Sequence, residues 1–390
     1  PTRDTVMNLN DATLIANPYP NYQRWRDEQP IWWSDGELKG WILSRYDDVR
    51  TILKDAKIFS SQSMGEGETQ AMPLPLLTDD PPRHTQLRAI VNKAFTSRTL
   101  KQMEVEVAEL TADLLDAMRG KTSVDISAEF TSPLPVSVIA RMMGIPPERK
   151  DDFKRWSDAL TGTSEATDLA ERMPHIMEMA GYFQSLIPQR RENRGEDLIS
   201  KVVHAQVDDQ TLADQDIVGF CMLLLIAGNE TTTNLLSNLL SHLADHPDTW
   251  SELRENPDKI EAAIEEILRY DGPVHWVSRK ATRDVEFHGQ TVKAGEAVYA
   301  FLGSANRDPR HYENADQFRL DRGRGDHHTF GHGIHFCIGA PLARLEARYA
   351  MEELLKRYRS ISHTPSGNNE RTHSTMLRGF HHLWLDLEPA

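Results

Sequence analysis

A chain of 390 residues with 44 Lys and Arg against 59 Asp and Glu, net −15, is a poor match for nucleic acid, whose phosphates select basic surfaces. Its two cysteines, Cys221 and Cys337, are too few for a disulfide framework and suit a reducing cytoplasm, which is the compartment expected. No secretory pattern and no apolar run of about 18 residues occurs, so a soluble protein is expected, and no linker tract or repeat divides it, which favours one large domain over residues 1–390.

In chain order, residues 40–44 (Gly-Trp-Ile-Leu-Ser) read as a strand. Residues 100–118 carry Met103, Val107, Leu110, Leu114, Leu115 and Met118 at helical spacing and stop before Gly120. A short apolar helix is expected over 135–143, with Pro135 in its first turn and Gly144 and Pro146 beyond it. The stretch 149–191 is mixed, with Gly162 and Pro174 expected to interrupt it. Residues 214–243 form the longest candidate helix, apolar on every face over 218–226, which places it at the centre of a fold. Residues 285–300 read as hairpins punctuated by Gly289 and Gly295, 307–326 as polar and irregular, and 340–358 as a last helix. The pattern is mainly α with small β-sheets (α+β).

Two segments carry chemistry. In Phe330-Gly331-His332-Gly333-Ile334-His335-Phe336-Cys337-Ile338-Gly339, a lone cysteine is ringed by glycines that permit left-handed turns and close backbone approach to a flat group. A helix begins just after it, and backbone N–H groups with the helix dipole favour a thiolate there. The commonest fate of an isolated cysteine is nonetheless a core position. In the apolar helix, Ala227-Gly228-Asn229-Glu230-Thr231-Thr232 sets a glycine and buried polar groups where both are costly. That fits either a functional kink or a threonine hydroxyl bonded to the carbonyl four residues back.

Phe-x-x-Gly-x-x-x-Cys-x-Gly resembles the haem-ligand loop of the cytochrome P450 family, and Ala-Gly-x-Glu-Thr-Thr resembles the oxygen-activation motif of that family's central helix. The resemblance spans nearly the whole chain and implies that family's single triangular domain. It implies haem b (iron protoporphyrin IX) on the Cys337 thiolate, with Phe330, Gly331 and Gly339 shaping the loop and Ala227 and Gly228 making room for O2. Thr231 is then the hydrogen-bond donor to the bound oxygen and Glu230 the proton gate. Asp80-Pro81-Pro82-Arg83-His84 resembles the start of the family's propionate-binding helix, so His84 and Arg88, four apart on one face, join Arg279 and His335 around the haem carboxylates. Glu266 and Arg269, with Arg322, match its buried Glu-x-x-Arg pair, here expected to hold the cysteine loop.

By the same resemblance, substrate meets Met64, Met72, Leu74, Leu76 and Leu77, the segment 160–183, and His275, Trp276 and Val277. Arg83, Lys93, Arg98, Arg344 and Arg348 offer a basic patch to an acidic partner. The expected activity is a monooxygenase that hydroxylates or epoxidises a small hydrophobic substrate with O2. It would act as a monomer, with electrons from a separate 2Fe–2S or similar ferredoxin and its NAD(P)H-dependent reductase, without membrane or nucleic acid. The alternatives are a peroxide-using haem-thiolate peroxygenase, which would lack the Glu–Thr pair, and a non-catalytic haem sensor on the same fold.

Overall fold

The computed structural model describes residues 6–62, 74–161, 169–206, 209–323 and 325–390. Met64, Met72 and Gly162 lie outside these.

The central helix, Asp214–Asp245, is 32 residues and so about 48 Å long. Helices Pro133–Met142, Lys150–Thr161, Leu169–Glu192, Ile260–Tyr270 and Ala340–Arg357 pack around it. Leu225, Leu236 and Leu239 are fully buried along its length, so the apolar-all-round pattern does mark the middle of the molecule. Helix Ser97–Ala117 starts where the Thr96 hydroxyl accepts the Thr99 N–H at 3.2 Å, and it buries Met103, Val107, Leu110 and Leu115.

Pro174 does not interrupt its segment. Leu169–Glu192 runs as one helix through Pro174 and Pro188, because Met179, Phe183 and Ile187 bury almost completely and outweigh the lost hydrogen bonds.

Strands gather at one side. A five-stranded sheet runs in the order Ile31–Asp35, Lys39–Leu43, Ala297–Ala300, Val277–Ala281, Phe59–Ser60, and only the second and third are parallel. Val285–Phe287 and Gln290–Val292 make the expected hairpin, with His288 at φ 49° and Gly289 at φ 78° as a type I′-like turn requires. A second sheet, Ser123–Asp125, Trp384–Pro389, Tyr358–His363, was not foreseen; its strands are short and widely separated in sequence. Helices Tyr19–Glu28 and Tyr46–Lys54 were also missed. Residues 307–326 carry no helix or strand among the described residues, as expected.

Candidate active site

The cysteine loop is built by two left-handed glycines and a backbone pin. Gly331 and Gly333 stand at φ 74° and 72°, and a Cβ on Gly333 would lie 2.8 Å from the Leu53 carbonyl oxygen, so the loop sits directly on helix Tyr46–Lys54. The Cys337 N–H donates to the Phe330 carbonyl at 2.9 Å, and helix Ala340–Arg357 begins three residues later. The Cys337 sulfur is half-buried and accepts the backbone N–H groups of Gly339 and Ala340. Burial nevertheless outweighs those donors and the Arg88 and Arg344 charges, so the thiol is pushed up, not down as the helix-start argument alone implies. A bound metal cation removes that obstacle by deprotonating the thiol outright. Cys221, in contrast, is simply buried in the helical core.

Four basic side chains meet beside this loop. The His84 and His335 rings lie 4.2 Å apart, and the charges of Arg88 and Arg279 bear on both. Burial, then these arginines, lowers both imidazoles, His335 to about 3, so the histidines are neutral donors and the arginines supply the charge. Arg279 is lowered to about 10 by burial, with Asp80 opposing, and stays cationic. Arg88 donates to the Phe336 carbonyl at 2.6 Å, and His335 bonds the Ser61 hydroxyl at 2.9 Å. His84, only 2 % exposed, has no partner on either ring nitrogen among the described residues. A buried imidazole without a partner, two arginines and a thiol fit a flat, metal-bearing group with two carboxylates.

The central helix is buried on most faces but open along Leu223, Ala227 and Thr231, at the i, i+4, i+8 spacing of a single stripe. The Thr231 hydroxyl donates to the Ala227 carbonyl at 2.5 Å, the back-bond that was one of the two readings. Gly228 faces elsewhere: a Cβ there would sit 2.5 Å from Ile139 Cδ1, so this glycine serves the close approach of helix Pro133–Met142. Asn229 also turns inward and donates to Ser157 at 2.6 Å. Burial alone raises Glu230 to about 7, since no charged or hydrogen-bonded partner among the described residues holds its carboxylate.

The family model for Cytochrome P450 matches residues 17–379. The chain belongs to the cytochrome P450 family. It is 38 % identical to the putative cytochrome P450 YjiB of Bacillus subtilis over 93 % of this chain and 94 % of that one. It is 37 % identical to the erythromycin C-12 hydroxylase of Saccharopolyspora erythraea, over 98 % and 96 %. The crystal structure of CYP109E1 from Bacillus megaterium with testosterone superposes with a TM-score of 0.87 at 37 % identity, covering 95 % of this chain and 99 % of that one. P450s are haem-thiolate monooxygenases that bind iron protoporphyrin IX through a cysteine, act on small substrates with O2 and need a redox partner. No helix among the described residues is long and apolar enough to cross a membrane.

In this P450 the Glu266–Arg269 pair is buried, with Nη2 to Oε1 at 2.7 Å, and Arg322 joins Glu266 at 2.9 Å. The two arginines also bond the carbonyls of Asn306, Glu313, Asn314, Ala315 and Gln317, so they clamp the irregular segment ahead of the cysteine loop. The loop itself is held one residue earlier. Glu265 pairs with Arg344 at 2.5 Å and His327 at 3.4 Å, and Arg344 lies 4.6 Å over the Phe330 ring. Sequence reasoning missed Glu265, although its adjacency to Glu266 was visible.

His275 and Trp276 are both buried. His275 bonds the Tyr22 hydroxyl at 2.8 Å, and Trp276, 7 % exposed, packs edge-on to Tyr299 in an aromatic core. The expected basic patch is also mostly spent. Arg83 pairs with Asp79 and Asp216, Arg344 with Glu265 and Arg348 with Glu352, which leaves exposed Lys93, on the Gln206 carbonyl, and exposed Arg98 without an ion pair among the described residues. Glu346, fully buried and pushed well up by burial, is a further acid missed, although it falls on the apolar face of its helix with Leu342 and Ala350.

Proposed function

We propose that this P450 hydroxylates or epoxidises a small hydrophobic molecule, with Cys337 as the iron ligand and Glu230 and Thr231 delivering protons. One juxtaposition supports this most: a half-buried thiol receiving two N–H groups beside Arg88, Arg279, His335 and a His84 whose ring nitrogens have no partner among the described residues. When bound, haem b supplies the iron at which O2 is reduced, one oxygen atom passing to substrate and the other leaving as water. Arg88 and Arg279 balance the charge of two carboxylates, and the neutral imidazoles donate to them.

Glu230, near 7, exists as both acid and carboxylate at neutral pH, which suits a group that must release a proton and be refilled. The Thr231 hydroxyl gives its proton to Ala227 and presents lone pairs to the open stripe; rotation about its Cα–Cβ bond turns it into a donor. Water must be limited there, and the apolar Leu223, Leu224 and Ala227 surfaces do so.

The testosterone complex of CYP109E1 and the erythromycin C-12 hydroxylase support a small organic substrate oxidised at carbon. In this proposal electrons come from a separate 2Fe–2S or similar ferredoxin with its reductase, in the cytoplasm, to a monomeric enzyme. The test is the reduced, carbon-monoxide-bound spectrum. The parent should show the red-shifted Soret band of a thiolate ligand and Cys337→Ser should lose it; retention in that variant would sink the assignment. A substrate-library screen for the low-to-high-spin shift then identifies the substrate class.

A further inference from the structure

A second cleft, of about 460 Å3, opens where Asn17–Gln23, the end of the central helix, Tyr270–Asp271 and residues 371–378 meet. It shares no residue with the site above. Its walls carry three arginines, Arg307, Arg371 and Arg378, against one buried carboxylate, Asp271. Asp245 and Asp316 also line it, but at 62 % and 64 % side-chain exposure they sit on the rim in solvent. His242, lowered to about 4 by burial and the neighbouring His246, adds no charge. The floor therefore has an excess of two positive charges.

How the three guanidiniums are held matters. Arg378 is committed: its Nε meets Asp271 at 2.5 Å and its Nη1 the Ile15 carbonyl at 3.0 Å. Arg307 is sandwiched between the Tyr19 and Tyr270 rings, 3.4 and 3.6 Å from their centroids, so only its edge is free to bond. That edge gives Nε to the Tyr270 carbonyl, and Nη1 stands 3.6 Å from exposed Asp316. Arg371 is the least committed. It rests 3.9 Å over the Phe380 ring, donates one bond to Asn238 at 3.2 Å, and lies 3.8 Å from Asp271. Its Nε and Nη2 have no partner among the described residues. Burial, with Arg378 close by, lowers it to about 10, the mark of a guanidinium short of counter-charge.

We propose that this cleft, which both residues line, binds a small oxyanion-bearing molecule, carrying a phosphate or clustered carboxylates, on the guanidinium edges of Arg307 and Arg371. The planar fork of a guanidinium matches either group bidentately, and two rings fix Arg307 for it. The cleft is within the size range of small-molecule sites. Its wall is joined to the sheet that carries Arg279: the Arg378 N–H donates to the Pro273 carbonyl at 2.9 Å and the His275 N–H to Met376 at 2.8 Å.

The test uses the haem-loaded protein at constant ionic strength, held with chloride. Inorganic phosphate and citrate are titrated separately, with calorimetric binding and the thermal midpoint as readouts. At least one anion should bind saturably and raise the midpoint with concentration. Which one binds distinguishes a phosphate ligand from a polycarboxylate. Arg371→Gln should weaken binding by about tenfold or more, and Arg371→Lys less, since it keeps charge but loses the fork. The carbon-monoxide spectrum confirms that each variant is loaded and folded; if Arg371→Gln is not, Arg371→Lys carries the test. Failure of both anions to saturate, or variants binding as tightly as the parent, would overturn the proposal.

Discussion

Glu265 and Glu230 are both buried glutamates on helices, and the structure drives them in opposite directions. Burial raises each, but His327 and Arg344 surround Glu265 and hold it at about 2, whereas Glu230 has no such partner and rises to about 7. Glu266 resembles Glu265: 3 % exposed, it accepts from Arg269, Arg322 and the Arg319 N–H. A buried carboxylate held between cationic side chains fixes backbone and is poorly placed to move a proton. One left without partners costs stability and gains a protonation equilibrium near working pH. In this chain the frame and the proposed proton relay are thus built from the same residue type, and partner count separates them.

The sharpest way to break the comparison is to strip a framing glutamate of its partner. Arg269→Ala leaves Glu266 buried with only Arg322 and the Arg319 N–H and removes the three bonds Arg269 makes to the Asn306, Ala315 and Gln317 carbonyls. A loss of about 3–5 kcal/mol is expected, measured as failure to retain haem and as a fall in thermal midpoint. Next comes Glu230→Gln, which should leave folding and haem loading intact but lower turnover by about 10²-fold. Its pH profile is the finer readout. The acid form dominates below about 7, so the relay is loaded there and turnover falls as pH rises through that value; the glutamine variant should lack this limb. Thr231→Ala should keep substrate binding while diverting reducing equivalents to peroxide, read as product formed per NAD(P)H consumed. Intact coupling would remove Thr231 from the relay.

Much of this was legible in the sequence because it was local. The glycines around Cys337, the Glu-Thr pair in an otherwise apolar helix, and the three-residue spacing of Glu266 and Arg269 all lie within short windows. The helices Ser97–Ala117 and Asp214–Asp245 followed from apolar spacing alone. What was missed depends on contacts across the chain. Pairing Ser123–Asp125 with Trp384–Pro389 brings together residues about 260 apart, for which no window carries a signal. The direction of Gly228 needed the position of Ile139, and the burial of His275 needed Tyr22. The raised thiol of Cys337 shows a different limit: the helix-start donors were inferred correctly, but their weight against burial was not.

Smaller effects sharpen the comparison from the framing side. The folded value of Glu265 lies below its ordinary 4.5, so its contribution to stability is complete above about 4.5 and is lost as pH falls toward about 2. Arg344→Gln removes one of its partners and frees the Phe330 face. It should cost about 1.5–3 kcal/mol near neutrality and move acid unfolding to higher pH, followed by loss of the Soret band.

The smallest expected effect belongs to Gly228→Ala, and it decides between two reasons for a glycine in the middle of the central helix. If the glycine exists to let helices approach, the new Cβ meets Ile139 Cδ1 at 2.5 Å, the far end of a flexible side chain that must swing aside by about 1 Å to reach ordinary contact. Alanine gains about 1 kcal/mol of helix propensity, which offsets most of that displacement. Net stability should therefore change by less than about 1 kcal/mol, with turnover and coupling unaltered. Adding Ile139→Val, which removes the crowded methyl, should recover any loss. If coupling instead falls while the thermal midpoint holds, the glycine serves the oxygen side of the helix, as the family motif implies. The open stripe would then extend past Ala227 and Thr231 to include it.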